Sequence, residues 1–391
     1  MSMIQHAFKP LVLRGKQLLP IVQGGMGVGV SAHRLAGAVA ALGGVGTIAS
    51  VDLRRMHPDL EEATARCRDK AAIEAANLTA LDREIAAARE IAKGMGVVAV
   101  NVMRAVSQYA DLVRQACRSG ADAIVMGAGL PLDLPELTAD HPDIALIPIL
   151  SDARGVSVVL KRWMKKNRLP DAIVLEHPGW AGGHLGAANV AGTTDQRFDF
   201  EKVVPECLEA IRGLGLASEQ IPLIPAGGID THDKVRRMME LGGSAVQVGT
   251  AFAVTAEGDA ADAFKRVLMG ASAEDIVEFT SCAGLPARAV ATPWLSNYLK
   301  REEKLQGAAA REGGERQCTL KWDCLLQCGL RDKLAKFGQF CIDNQLAHAV
   351  KGDIAKGLFF RGKGTLPFGT EMRSVRELVE YLLAGRRPQP V

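Results

Sequence analysis

Eight short apolar runs recur along the chain, each closed by Gly, Ser, Pro or another polar group. They are Pro20–Gln23, Gly44–Ser50, Val97–Met103, Ala123–Gly129, Ala145–Ser151, Ala172–His177, Pro222–Gly228 and Ala245–Phe252. Most lack strict apolar–polar alternation and are rich in Val, Ile and Ala, which predicts strands buried on both faces. Helical spacing separates most of them. Ser31 is the expected cap of a segment with Leu35, Val39 and Leu42 on one face, and Gly43-Gly44 closes it. Thr231 is the expected cap of another, Asp233 to Leu241. Eight strands alternating with helices predict an α/β fold, a (β/α)8 TIM barrel. An open doubly wound sheet is the rival. It usually has fewer strands and a Gly-X-Gly-X-X-Gly turn after the first, which is absent here.

Between the second and third strands lies an alanine-rich, charged insertion, residues 52–95, with a predicted helix from Asn77 to Lys93. It reads as decoration near the barrel mouth, either a partial lid or a packing extension. After the eighth strand a helix is expected over Asp259–Met269, then a loop, Ser281 to Ala289, then a helix, Trp294–Lys304. The small and polar segment Gly307 to Gly314 reads as a linker. The expected organisation is a barrel over 1–305 and a C-terminal cysteine-bearing subdomain over 315–391, ending in an amphipathic helix, Val375–Leu383. No internal repeat appears beyond the strand–helix alternation.

Composition narrows the picture only a little. The 47 basic and 44 acidic residues are interspersed, so no nucleic-acid or membrane partner is implied. The most basic run, Lys161 to Lys166, falls at an expected helix end, where it complements the dipole. No signal-peptide pattern and no bilayer-length apolar run is evident. A cytoplasmic protein with 8 reduced or ligating cysteines is expected, and a homo-oligomer, a dimer, is the expected assembly.

The candidate chemistry gathers at strand ends. Glu176 closes the sixth run, and the loop beyond it carries Gly182, Gly183 and His184. Two glycines let backbone approach a flat ligand, and the histidine can move a proton near neutral pH. Glu176 either bonds a ligand hydroxyl or caps the loop. The first strand runs into Gln23-Gly24-Gly25-Met26, where Met26 could lie against an aromatic ring. Asn101, polar in an apolar run, either bonds a ring edge or satisfies local backbone. After strands seven and eight come Ala226-Gly227-Gly228 and Gln247-Val248-Gly249-Thr250. Those two turns of a barrel commonly hold a phosphate through backbone N–H groups. No Walker motif is present, so a phosphate-bearing cofactor at the mouth, with FMN fitting best, is expected rather than a nucleoside triphosphate.

Five motifs in register carry a family resemblance: Pro20 to Met26, Val100 to Met103, Ala181 to Gly186, Pro225 to Ile229 and Val246 to Thr250. The chain resembles the nitronate monooxygenase (2-nitropropane dioxygenase) family, which also includes the flavin-dependent enoyl-acyl-carrier-protein reductases. The likeness covers strands one to eight and extends through Gly284 to Ala289 into the tail. It implies an FMN-bearing TIM barrel in which Gly25, Met26 and Asn101 face the isoalloxazine. It implies too that Gly227, Gly228, Gly249 and Thr250 hold the phosphate, that Gly183 lines the flavin and that His184 is the catalytic histidine. Two activities follow from the family: oxidation of alkyl nitronates with O2, and NAD(P)H-dependent reduction of an enoyl thioester, with a small-molecule or acyl-thioester substrate. The resemblance also carries a departure. Nitronate oxidisers have arginine after the histidine and the reductase branch an aliphatic residue, where this chain has Leu185.

The tail holds Cys318, Cys324, Cys328 and Cys341, with five, three and twelve residues between them. Four thiolates in a short segment suit a 4Fe–4S cluster or zinc, and four reduced cysteines packed as small hydrophobes is the alternative. The last three resemble in spacing the cluster-binding segment of 2,4-dienoyl-CoA reductases. Cys67, Cys117, Cys207 and Cys282 are expected in the core. A redox sensor or non-catalytic flavin binder on the same barrel is the reading from another class.

Overall fold

The structure, a computed structural model, describes residues 4–67, 69–311, 318 and 323–389. Strands β1 (Ile21–Gln23), β2 (Val45–Ala49), β3 (Val97–Met103), β4 (Ala123–Gly127), β5 (Ala145–Leu150), β6 (Ile173–Glu176), β7 (Leu223–Ala226) and β8 (Val246–Val248) close into a barrel. Every neighbouring pair is parallel, and β8 returns to β1 through Val246 opposite Ile21. The strands are short because each is sealed on both sides. Val22, Val45, Ala99, Val125, Ile147 and Ile224 fill the interior, whereas Ile48, Val100, Ile124 and Leu146 meet the outer helices. The hairpin Leu11–Leu13 with Lys16–Leu18 plugs the amino-terminal end with Leu11, Leu13 and Leu18.

Helix α1 (His33–Ala41) follows β1 and packs against α2 (Lys70–Ala92), the long helix of the insertion. The α2 helix starts earlier than its apolar spacing suggests because the Asp69 carboxylate accepts the N–H of Ala71 at 2.9 Å. Ser31 does not cap α1: Ala32 holds that position, and the Ser31 hydroxyl accepts the N–H of Met26 at 2.9 Å. Thr231 caps α3 (His232–Glu240), accepting the N–H of Lys234 at 3.2 Å.

Two further expectations change. The stretch expected as one helix over Trp294–Lys304 is two, Pro293–Leu299 and Glu302–Ala309, so the first residues of the expected linker are helical. Residues 312–314 of that linker lie outside the described residues. Pro286–Val290, expected mainly as loop, is a strand. It pairs antiparallel with Ile276–Thr280 on one side and with Gly183–His184 on the other.

The tail returns to the barrel. Helix α4 (Ile342–Val350) lies over the mouth, and Val106 on the barrel bridges to Leu325 of the tail. Helix α5 (Val375–Ala384) packs on α3 and α1, with Leu378, Val379 and Leu382 in the same apolar cluster as Val235 and Met238. A capping box between Ser374 and Glu377 starts it, and Gly385 at φ 69° ends it.

Candidate active site

A cavity of about 500 Å3 opens at the carboxyl ends of the barrel strands. It brings together all twelve residues singled out on the barrel: Gly25, Met26, Asn101, Glu176, Gly182, Gly183, His184, Gly227, Gly228, Gln247, Gly249 and Thr250. One half of the wall is backbone and glycine. The other is apolar side chains, among them Met103, Val106, Leu285, Leu325, Ile342 and Leu346.

The glycine half is built for close approach. A Cβ on Gly25 would stand 2.4 Å from the Asn101 Cβ, and one on Gly182 would stand 2.5 Å from the Gly362 nitrogen. Gly227 and Gly228 hold φ of 106° and 71°, a turn that side-chain-bearing residues rarely adopt. The Gln247 side chain lies against Gly24. Thr250, which opens a short helix after β8, accepts the N–H of Gly362 at 3.1 Å through its hydroxyl. The Asn101 amide reaches the Val125 carbonyl at 3.4 Å. Segment 360–365 of the tail therefore closes the same end of the cavity as the two glycine turns, and Arg361, Gly362 and Gly364 line it.

His184 stands where the two halves meet. Its strand is two residues long and is held by Ala287 on the neighbouring strand. Its Nε2 lies 3.0 Å from the Ser281 Oγ, and Phe360 meets its ring edge-to-face at 5.6 Å. Burial with no charged partner pushes its pKa down to about 4, so the ring is neutral near pH 7. Burial acts the opposite way on Glu176, raising it to about 7, with the Arg288 guanidinium pulling it back. Arg288 is fully buried. It binds Glu278 through Nε at 2.9 Å and donates to the Ala181 carbonyl, which ties the hairpin to the glycine loop.

Ser281, Phe360 and Asp343 were not singled out from the sequence. Asp343 lines the cavity, is bridged by Arg55 to Asp52, and is raised by burial beside that second carboxylate. These contacts join residues far apart in the chain, and no local pattern announces them. His177, by contrast, is buried beside Asp199 at 3.4 Å and packs edge-on to Phe200.

The metal expectation for Cys318, Cys324, Cys328 and Cys341 finds no support: among the described residues no group of three or more His, Cys, Asp or Glu is arranged to hold a metal ion. A ligating cysteine must be a thiolate. Burial raises the thiols of Cys324 and Cys341, whereas the hydrogen bond from Cys282 lowers that of Cys328 to about 6. Cys324 and Cys328 pack with Leu325, Phe340 and Ile342 in an apolar cluster. Cys282, expected in the core, is there, and its thiol hydrogen-bonds that of Cys328.

A closed parallel barrel with a glycine-lined cavity and a histidine at its carboxyl end places the chain among barrel proteins with a site at the strand ends. The chain belongs to the nitronate monooxygenase family, whose model matches residues 13–385, and it is a flavin-dependent oxidoreductase. It is 27% identical over 139 residues to a "Probable nitronate monooxygenase" of Bacillus subtilis, a match spanning 36% of this chain and 37% of that protein. It is 26% identical over 319 residues to a "(3aS,4S,5R,7aS)-5-hydroxy-7a-methyl-1-oxo-octahydro-1H-indene-4-carboxyl-CoA dehydrogenase" of Rhodococcus jostii, covering 80% of this chain and 75% of that one. In fold it is similar to FabK from Thermotoga maritima, with a TM-score of 0.63 at 21% identity over 93% of this chain and 91% of that one. No described helix is long and apolar enough to cross a membrane.

Proposed function

We propose that the chain is an FMN-dependent nitronate monooxygenase, oxidising alkyl nitronates with O2. The observation that carries the reading is the neutral His184 beside a cavity whose opposite wall is glycine backbone. That wall suits FMN. Gly25 and Gly182 carry no side chain into the cavity they line, and the turns at Gly228 and Thr250 fit a phosphate. When bound, FMN supplies the redox chemistry between substrate and oxygen. The protein's own part is to bind and orient. Asn101 and Glu176 offer polar atoms at strand ends, Met26 an apolar face, and His184 a ring nitrogen for a substrate oxygen. The apolar wall from Val106 to Leu346 excludes water from that contact.

A second reading, NAD(P)H-dependent reduction of an enoyl thioester, is favoured by Leu185. It is buried in the cavity wall and offers no charge to a nitronate, and the Rhodococcus jostii relative acts on a CoA thioester. Oxygen uptake by the flavin-loaded protein with propyl-2-nitronate separates the two. Uptake that needs the nitronate and no pyridine nucleotide supports the monooxygenase. NAD(P)H oxidation that needs an enoyl-CoA, with no response to the nitronate, overturns it.

A further inference from the structure

One serine hydroxyl lies against a ring nitrogen of His184. Ser281 sits at the turn end of the strand Ile276–Thr280, and its side chain is wholly buried. Its Oγ accepts the N–H of Ala283 at 3.2 Å and lies 3.0 Å from the His184 Nε2. The backbone around it is also committed: the Ser281 N–H goes to the Leu285 carbonyl at 2.9 Å, and its own carbonyl accepts from Gly284 and Gly338. Among the described residues the hydroxyl proton therefore has one acceptor, the Nε2 of His184. A proton on Nε2 would leave that buried hydroxyl donor unmet, and an unmet buried donor is costly. Nδ1 makes no bond within the described residues and belongs to a side chain that lines the cavity. Phe360 meets the ring edge-to-face, and the strand that carries it pairs at Ala287.

We infer that Ser281 is a positioning residue that fixes His184 as the Nδ1–H tautomer, so that the histidine offers the cavity a hydrogen-bond donor and not a base. The inference deepens the proposed function and rests on His184 being the side chain that meets substrate. It narrows the substrate class to molecules that present an oxygen acceptor: a preformed nitronate anion, or the carbonyl of a thioester. A neutral nitroalkane requires loss of its α-proton to a base, and an Nδ1 that already carries hydrogen does not accept it. Burial keeps the ring neutral, so one of its two nitrogens is bare, and the Ser281 hydroxyl selects which.

The test is nitrogen NMR of FMN-loaded protein with 15N-labelled histidine near neutral pH. The His184 signal is the one missing from His184→Asn. The expected ring is protonated at Nδ1 and bare at Nε2. A ring protonated at Nε2 overturns the inference without reference to any activity. In Ser281→Ala the Nδ1–H signature is expected to weaken, and kcat/KM for the nitronate to fall by about tenfold to a hundredfold. Ser281→Thr, which keeps the hydroxyl, should restore both. An unchanged tautomer in Ser281→Ala removes Ser281 from the role. A protein with the Nδ1–H ring that turns over no nitronate would sink the proposed activity and leave the assignment of Ser281 standing.

Discussion

Two groups in one cavity lose their water and move in opposite directions. A carboxyl that burial keeps protonated weakens the fold as the pH enters the range where the unfolded chain would ionise it, because folding there must take up a proton. Glu176 rises from 4.5 to about 7, so its contribution is complete below pH 4.5 and disappears as the pH climbs through about 7. His184 falls from 6.5 to about 4. The unfolded histidine binds a proton across that window and the folded one does not, so stability drops as the pH falls from 6.5 to 4. The two windows overlap and act in opposite senses, so in the flavin-free protein they nearly cancel between pH 4.5 and 6.5. Glu176→Gln should remove the alkaline loss and uncover the histidine's, a fall in melting temperature from pH 6.5 to 4 that is steeper than in the wild type, read across pH 4 to 8. A variant whose alkaline loss matches that of the wild type would show that Glu176 is not the titrating group.

At the scale of elements, the hairpin Ile276–Thr280 with Pro286–Val290 does what a barrel strand cannot: it holds the strand of His184 from outside the barrel. Arg288 is its fastener. Arg288→Leu removes the ion pair to Glu278 and the bond to the Ala181 carbonyl. Glu278 keeps Lys363 at 2.6 Å and is partly exposed, so the cost is expected at the low end for a broken buried pair, about 3 kcal/mol. The readouts are urea unfolding and retained flavin, and both should fall. Unchanged flavin binding would separate the hairpin from the cavity.

The barrel was legible because buried parallel strands leave runs such as Ala145–Leu150 unbroken by polar residues, and barrel chemistry sits at strand ends. Glu176, Gly227 and Gly249 follow from that rule alone. The hairpin was not legible. Pro286–Val290 is buried at every position and carries Pro and Arg, so it shows neither alternation nor a β-rich apolar run. Ser281 and Phe360 reach His184 across 97 and 176 residues of chain, a distance over which sequence pattern carries no contact information.

In the whole molecule the tail and barrel share their packing. Leu382 is fully buried in the cluster that holds Val235, and Phe359 stacks on Phe264 at 5.4 Å. Leu382→Ala is expected to cost about 2–4 kcal/mol and to lower a single calorimetric transition. An early separate transition for the tail would instead show two independently stable units. Joint folding has a functional side: segment 360–365 and α4 each supply part of the cavity wall, so neither barrel nor tail encloses it alone.

The most direct test is anaerobic mixing of the FMN-loaded protein with propyl-2-nitronate while the visible flavin band is followed. The account predicts rapid bleaching, restored on admitting oxygen, and strongly slowed in His184→Asn. A flavin that stays oxidised with the nitronate but bleaches with NADH or NADPH would contradict the proposed oxidation and assign the cavity to the reductive chemistry.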